Sequence, residues 1–214
     1  MHLNLSADEV LSTTRAVRKR LDLERPVERE VIEECLRLAI QAPSGSNRQG
    51  WHFVMVGDAE RKAKLAAMYL ETYEAFYTSG RSATFPEGDP RAQRRPKVLD
   101  SARYLADNLH RVPWMLIPCQ EGRVDSTPSA SQAGWWGSII PAVWSFMLAA
   151  RERGLGTAWT TMHLRSEREA AEVLGIPYDN VTQVGLIPVA YTIGTDFKPA
   201  TRLPLDEVCH WDEW

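Results

Sequence analysis

The sequence predicts an α+β fold in which helices surround a small sheet. Six segments carry apolar residues at helical spacing, whereas four short apolar runs have the length and composition of strands. No internal repeat, low-complexity tract or linker divides the 214 residues, so we expect a single domain over residues 1–214. A chain of this length buries roughly 70% of the surface that its unfolded form exposes, and it needs no metal or disulfide to fold.

The N-terminal half is predicted to hold three helices and one strand. Ser6 and Glu9 have the spacing of a capping box, which starts a helix whose apolar spacing reaches Val17. Pro26 then interrupts the chain. The next elements are a helix over 27–42, a loop over 43–47, a strand over 51–56 and a helix reaching about Tyr77. Residues 78–96 are polar and rich in Gly, Pro and Arg, which indicates a surface loop.

The C-terminal half is predicted to alternate helices with strands. A glycine stands at the expected end of two of the helices, Gly154 and Gly175. Pro141 lies early in the core helix, so we expect that helix to start or bend near it. The elements are a helix over 98–109, a strand over 114–119, a loop over 121–134, the core helix ending near 154, a strand over 158–161, a helix over 166–175, a strand over 184–192 and an extended tail.

Composition excludes several functional classes. The chain has 25 Lys and Arg against 28 Asp and Glu, a net charge of −3, which argues against a general nucleic-acid binder. The three cysteines have no paired spacing and suit a reducing cytoplasm. The N-terminus lacks the apolar core of a secretory signal. The longest uncharged run, 126–150, is apolar only over 139–150, which is too short to span a membrane.

Motifs for self-sufficient side-chain catalysis are absent. The sequence contains no G-x-S-x-G, S-x-x-K, H-E-x-x-H or Walker A motif, and the five histidines form no ligand-spaced pair, so we predict no metal site. The G-x-G-x-x-G nucleotide fingerprint is missing as well. An enzyme with this sequence would therefore rely on a bound organic cofactor.

Two N-terminal segments could hold such a cofactor. The first, Arg15 to Arg20, has four cations in six residues. It fits either the solvated end of a helix or a phosphate clamp, because guanidinium groups match phosphate oxygens bidentately. The second segment, Ala42 to Trp51, combines Pro and Gly with hydroxyl and carboxamide side chains. Carboxamides both donate and accept hydrogen bonds, which suits the uracil-like edge of a flavin.

Two further segments are weak evidence for a cofactor site when each is taken alone. The first, 154–161, begins with two closely spaced glycines, which helix ends collect in any case. The second, 196–204, places Arg202 before Leu-Pro in the C-terminal tail, where a basic residue is usually solvated. The value of both segments lies in their order along the chain.

Together the four segments resemble the nitroreductase family of FMN-dependent oxidoreductases. The family pattern opens with Arg-Ser-x-Arg, matched by Arg15 to Arg18, and continues with A-P-S-x-x-N-x-Q-P-W, matched by residues 42–51. A Gly-Leu-Gly-Thr helix exit follows at 154–157, and the late basic residue before Leu-Pro is Arg202. The resemblance covers essentially the whole chain. Ala16 replaces the usual hydroxyl and Gly50 the usual Pro.

The resemblance implies a sandwich with a central, mostly antiparallel sheet inside an intertwined homodimer, with one FMN at each of two subunit interfaces. NADH or NADPH would supply a hydride that FMN passes to a planar acceptor such as a nitroaromatic or a quinone. No side chain is predicted to act as a catalytic acid or base. The residues expected to bind the cofactor are Arg15, Ala16, Arg18, Ser44, Gly45, Asn47, Gln49, Trp159, Thr160, Thr161 and Arg202.

Several alternatives stay open at the level of sequence. Aromatic residues over 69–85 could form a lid on planar substrates or the buried side of a helix. Eight tryptophans, two of them in the last four residues, suit either a subunit interface or a Trp-rich core. The other functional readings are a flavin-storage protein, a dehalogenase or flavin-cleaving relative, and a helical protein whose basic segment binds an acidic partner. FMN and a deazaflavin are not distinguished.

Overall fold

The computed structural model describes residues 1–79, 85 and 89–214. Within these residues, helices cover both faces of a five-stranded sheet. The helices are α1 (Ala7–Thr13), α2 (Arg29–Ala39), α3 (Ala59–Thr78), α4 (Pro90–Asn108), α5 (Ser129–Glu152) and α6 (Glu167–Leu174). The strands are β1 (Trp51–Val56), β2 (Trp114–Glu121), β3 (Leu155–Thr157), β4 (Val181–Gln183) and β5 (Ile187–Tyr191). The predicted α+β class is confirmed.

Strand β2 organises the sheet, whose described order is β1-β2-β5-β3, with β4 also paired to β2. All four pairings are antiparallel. The N-terminal part of β2 pairs with β5, and its C-terminal part pairs with β4. Because side chains alternate along a strand, Leu116 belongs to one core while Met115 and Ile117 belong to the other.

Two apolar cores therefore lie on the two faces of the sheet. One contains buried residues of α2 and α5, including Cys35, Ala39 and Phe146. The other contains residues of α3, α4 and α6, such as Leu65 and Leu105. Each fully buried Leu or Phe side chain stabilises the fold by about 1.5–3 kcal/mol, so burial on both faces fixes the sheet between its helices.

Local signals in the sequence explain several element ends. The capping box of α1 is present, with the Ser6 hydroxyl accepting from the Glu9 amide and the Glu9 carboxylate accepting from the Ser6 amide. Gly175 ends α6 in the left-handed conformation at φ 70°, which costs glycine little because it has no Cβ. Strand β1 has the predicted bounds.

Several sequence-based boundaries are wrong. The predicted loop over 78–96 ends earlier, because Asp89 caps α4 and Pro90 occupies its first turn, where a missing N–H is harmless. Residues 80–84 and 86–88 of that loop lie outside the described residues. The predicted loop over 121–134 is helical from Ser129, where α5 begins. The helix also continues through Pro141 and does not start there. The strand predicted over 158–161 lies instead at β3, directly after Gly154.

The core helix α5 is longer than the apolar part that the sequence predicts. By length and composition it could cross a membrane, and 44% of its most apolar stretch is buried inside the fold. Its buried face packs on α2, β2 and β3, as expected of a core helix. Its other face exposes Ile140 and Trp144. The C-terminal tail likewise exposes Trp211 and Trp214. That these tryptophans belong to a subunit interface stays a prediction.

Candidate functional site

The basic segment 15–20 is not the end of a helix. Helix α1 stops at Thr13, and the following residues run along the edge of the sheet, where Ala16 bridges Thr157 and the Val17 amide donates to the Thr157 carbonyl at 2.8 Å. Val17 and Leu21 point into the core. The solvated-helix-end alternative is therefore wrong, and the backbone of this segment is fixed by β3.

A glycine of the Gly-Leu-Gly-Thr motif makes this docking possible. A Cβ on Gly156 would lie 2.8 Å from the Thr192 side chain, 2.9 Å from that of Leu21 and 3.0 Å from that of Val17. Such distances are too short for carbon atoms, so only glycine lets the basic segment approach β3. The glycine serves packing beside the site, and it positions Arg15 and Arg18.

Arg15 extends from the sheet edge toward the C-terminal tail. Its Nη1 donates to the Lys198 carbonyl at 2.6 Å. Burial lowers the pKa of Arg15, and the neighbouring cations Arg94 and Arg202 lower it further. Arg202 and Arg94 of α4 line one small cavity, and the charges of both act on Arg15. We call Arg15, Arg94 and Arg202 the arginine cluster.

Among the described residues, no carboxylate pairs with the arginine cluster. Within residues 1–79, 85 and 89–214, none of its three members forms an ion pair with a carboxylate, whereas Arg20, Arg91 and Arg103 do. Arg202 donates only to its neighbour, the Thr201 carbonyl, at 3.4 Å. Three like charges that face one another repel, so the arrangement favours an anion between them.

Arg18 turns in a different direction. Its Nη1 donates to Ser101 Oγ of α4 at 3.4 Å, and its charge acts on the hydroxyl of Tyr69 in α3. Burial nevertheless raises the pKa of Tyr69 to about 12, although Arg18 opposes that shift. Arg18 therefore lies nearer the aromatic side of the site than the arginine cluster does. Residues 15–20, Ser101 and Phe197 line a surface cavity of about 280 Å³.

The loop over residues 43–50, here the carboxamide loop, holds an unusual backbone. Ser46, Asn47 and Gln49 have φ of 53°, 53° and 50°, a left-handed region that costs non-glycine residues about 1–2 kcal/mol each. Local hydrogen bonds maintain it: the Ser44 hydroxyl accepts from the Gln49 amide at 3.1 Å, and Gln49 Nε2 donates to Asn47 Oδ1 at 3.0 Å. Such strain is concentrated at functional sites.

One long-range bond ties the carboxamide loop to the helix beneath it. The Gly45 amide donates to Ser138 Oγ of α5 at 2.9 Å. Within the loop, Ser46, Asn47 and Gln49 are exposed and Ser44 is half-buried. The loop therefore presents hydroxyl and carboxamide groups outward from α5, available to a molecule placed above it.

One chain does not bring the carboxamide loop to the arginine cluster. Ala16 bridges Thr157, whose partner Val189 pairs with Trp114 at the start of β2. Gly50, by contrast, accepts from the Glu121 amide at the end of β2. Seven residues of strand separate these ends, about 23 Å. The predicted site residues thus form two separate groups.

The segment from Trp159 to Thr161 lies between the two groups. The Thr160 amide donates to the Leu186 carbonyl at 3.1 Å, and the Thr160 carbonyl accepts from the Leu186 amide at 2.8 Å. The Thr160 hydroxyl also donates to the Leu186 carbonyl, at 2.6 Å. The Thr161 carbonyl accepts from Leu164. The groups of this segment that these bonds leave available for a ligand are the backbone of Trp159 and the Thr161 amide and hydroxyl.

A large cavity adjoins Thr161. It measures about 790 Å³ and lies between α3 and the 3₁₀ turn Met162–Ser166. Tyr69 and Tyr73 are buried in the core, so the buried-helix alternative holds for them, whereas Phe76 lines the cavity. The predicted aromatic lid is therefore split between core and cavity.

His163, directly behind Thr161, escaped the sequence analysis. It is fully buried, and burial lowers its pKa to about 4, so the ring is neutral at pH 7. Gln183 lies beside the ring, yet neither ring nitrogen has a hydrogen-bond partner of good geometry within the described part of the chain. Arg94 was also missed, because the sequence places it in a loop.

Comparison with known proteins shows the family of this chain. The nitroreductase family model matches residues 11–191. The chain belongs to the nitroreductase family. An iodotyrosine deiodinase of Thermotoga neapolitana is 28% identical over 200 residues, which cover 92% of this chain and 93% of the relative. An NADH dehydrogenase of Thermus thermophilus is 26% identical over 219 residues, covering 94% and 97%.

A solved structure shares the fold of this nitroreductase-family chain. It is an FMN and NADPH-dependent nitroreductase from Sphigopyxis sp. strain HMH, with a TM-score of 0.65 and 23% identity, covering 98% of this chain and 100% of that one. The predicted nitroreductase-like architecture is thus confirmed.

Proposed function

We propose that this chain is an FMN-dependent oxidoreductase that takes a hydride from NADH or NADPH and reduces a planar acceptor such as a nitroaromatic or a quinone. The observation that carries the proposal is the arginine cluster: three guanidinium groups that form no ion pair within the described residues, one of them on the segment that docks against β3. A phosphate monoester is the anion that FMN would bring there. The names of the Sphigopyxis and Thermus proteins support the choice of cofactor and reductant.

The residues present fit FMN at both of its ends. Arg15, Arg18 and Arg202 can hold the phosphate through charge-assisted hydrogen bonds. Ser44, Asn47 and Gln49 offer donors and acceptors that match the pyrimidine edge of the ring. Ala16 and Gly45 would contribute backbone amides, and Trp159, Thr160 and Thr161 would line the ring.

Bound FMN supplies the redox chemistry, a two-electron transfer with hydride, which the protein positions and tunes. Tyr69 and the neutral His163 are both buried in the protein interior on this side of the chain, and the charge of Arg18 acts on the Tyr69 hydroxyl. The cavity beside Thr161, about 790 Å³, has room for a planar acceptor next to the ring.

We also propose that the site is completed by a second copy of the chain. The separation of about 23 Å between the ends of β2 keeps the carboxamide loop away from the arginine cluster of its own chain. In a homodimer, the loop of one subunit would meet the cluster of the other. The exposed Ile140 and Trp144 of α5, and the tail with Trp211 and Trp214, supply apolar surface for that interface.

The function is tested on purified protein. We expect flavin absorbance, FMN by mass spectrometry of the released cofactor, and NAD(P)H oxidation that depends on menadione or a nitrofuran. Recovery of no flavin after reconstitution would exclude the proposal. Bound FMN without NAD(P)H oxidation would indicate a flavin-storage protein instead.

The shared site is tested by subunit complementation. Arg202→Ala and Asn47→Ala impair different halves of the site, so each homodimer has two defective sites. When the two variants are unfolded together and refolded in equal amounts, half of the dimers are mixed and hold one intact site, about one quarter of all sites. Recovery of that fraction of wild-type FMN binding supports the dimer, and no recovery would place both residues in one chain's site.

A second candidate reaction is reductive dehalogenation, which is favoured by the alignment to the Thermotoga deiodinase over 92% of this chain. It would use the same cofactor site with a halogenated phenol in the cavity. Release of iodide from iodotyrosine by the reduced protein distinguishes it from nitro or quinone reduction. We place the protein in the cytoplasm, because the described part of the chain has free cysteines.

A further inference from the structure

A cavity of about 170 Å³ lies between the first turns of α4 and the C-terminal tail. It is lined by Arg91, Arg94, Thr201, Arg202 and Leu203. Arg15 is held beside it, since its guanidinium donates to Lys198 in the same stretch of tail. Helix α4 and the tail therefore face each other across a space that guanidinium groups border from both sides.

The two arginines of α4 in this cavity differ in their partners. Arg91 is bonded bidentately to Asp89, at 2.6 and 3.0 Å, and lies over the Phe85 ring. Arg94, one helical turn later, forms no ion pair within the described residues, and its charge acts on Arg15. Arg91 is thus neutralised by its own helix, whereas Arg94 is not.

We propose that Arg94 is a fourth arginine of the FMN phosphate site, and that it closes the site from α4 opposite Arg202. This inference rests on the proposed function, and none of the family motifs in the sequence includes this residue. A phosphate dianion between Arg15, Arg94 and Arg202 would receive donors from three separate parts of the chain. It would also link α4 to the tail, which no ion pair among the described residues does.

The geometry predicts opposite effects on the empty and the loaded protein. Without an anion, Arg94 faces other cations, so Arg94→Gln leaves the melting temperature of the apoprotein unchanged or raises it. With FMN, the loss of a charge-assisted hydrogen bond weakens affinity by about 10- to 100-fold. Riboflavin lacks the phosphate, so its affinity is expected to change less than about 2-fold.

The experiment titrates FMN and riboflavin into the apoproteins of wild type, Arg94→Gln, Arg94→Lys and Arg103→Gln, and follows flavin fluorescence. Arg103→Gln is the matched control, because Arg103 lies on the same helix, is paired with Asp107 and does not line the cavity, so this variant should bind FMN like wild type. Arg94→Lys should recover part of the loss, since an ammonium keeps the charge without the forked contact.

The outcomes separate this inference from the function itself. If wild type binds FMN and Arg202→Ala weakens it while Arg94→Gln does not, Arg94 is not part of the site and the proposed function stands. Equal losses of FMN and riboflavin in Arg94→Gln would show that the residue supports the fold, which also overturns the inference. Wild-type apoprotein that binds neither flavin would overturn the proposed function and this inference together.

Discussion

The arginine cluster and the carboxamide loop bear different kinds of unfavourable energy. The cluster brings Arg15, Arg94 and Arg202 together with no ion-paired carboxylate among the described residues, so it is electrostatically strained. The loop holds three non-glycine residues at positive φ, so it is conformationally strained. The cluster spans three parts of the chain that are far apart in sequence, whereas the loop is a local structure on α5.

The difference indicates which part of a ligand each region serves. Electrostatic repulsion is relieved by an anion, so the cluster suits the phosphate and is sensitive to charge and salt. Backbone strain fixes the direction of side-chain donors and acceptors, so the loop suits a neutral, shaped group such as a ring edge. Substitutions in the cluster should therefore weaken the binding of FMN more than that of riboflavin, whereas substitutions in the loop should weaken both equally.

The largest expected effect is at Arg202. Arg202→Ala removes a charge-assisted hydrogen bond of about 1.5–3 kcal/mol, which corresponds to a loss of FMN affinity of about 10- to 150-fold. Riboflavin should bind wild type and variant almost equally. Isothermal titration of both flavins into the apoproteins measures this, with Arg202→Lys expected to be intermediate.

Two results would contradict this assignment of Arg202. An equal loss of both flavins would mean that the residue stabilises the tail. An unchanged FMN affinity would mean that Arg202 pairs with a surface carboxylate such as Asp206, in which case the variant loses at most about 1 kcal/mol of stability.

His163 provides the next effect, on the stability of the fold, through its burial in the 3₁₀ turn Met162–Ser166. Its pKa in the folded protein is about 4 against an ordinary value of 6.5, so the unfolded chain binds a proton at a higher pH than the folded one. Stability is therefore complete above pH 6.5 and falls as the pH drops toward 4. Between pH 7.5 and 5 the loss is about 2 kcal/mol.

Chemical denaturation at several pH values tests the role of His163. His163→Gln should remove most of the decline between pH 7.5 and 5, and His110→Gln, at an exposed histidine, should leave it unchanged. A decline of the same size in both variants would assign the pH dependence to other groups.

Sequence predicts the carboxamide loop more fully than the arginine cluster, for a physical reason. The loop, its flanking strand β1 and the cap of α1 depend on neighbouring residues, so local patterns suffice. The cluster depends on tertiary docking. Arg94 was missed because Gly, Pro and Arg around it indicate a loop, whereas Asp89 and Pro90 in fact start α4. The early position of β3 was missed because Gly154 and Gly156 are typical of a helix end, although Gly156 lies within β3 and is needed for packing.

Asn47 tests the carboxamide loop with a smaller effect. Asn47→Ala removes neutral hydrogen bonds worth about 0.5–1.5 kcal/mol each, so affinity should fall by about 2- to 12-fold per bond lost. The loss should be the same for FMN and riboflavin, because the loop does not face the phosphate. A loss confined to FMN would place Asn47 with the arginine cluster and break the division between the two regions.

The smallest expected effect concerns strain in the loop, at Ser46. This residue has φ 53°, and Ser46→Gly relieves about 1–2 kcal/mol of left-handed strain while it adds about 0.5–1 kcal/mol of chain entropy to the unfolded state. The free energy of unfolding should therefore rise by at most about 1.5 kcal/mol. Ser46→Ala keeps the strain and serves as the control, which should not gain stability.

If the strain serves to hold Asn47 and Gln49 in position, Ser46→Gly should lower the affinity for both flavins about 2- to 3-fold, because the freed backbone must be ordered on binding. Unchanged binding of both flavins, together with the gain in stability, would show that the strain has no part in recognition and that hydrogen bonds within the loop suffice to hold its shape.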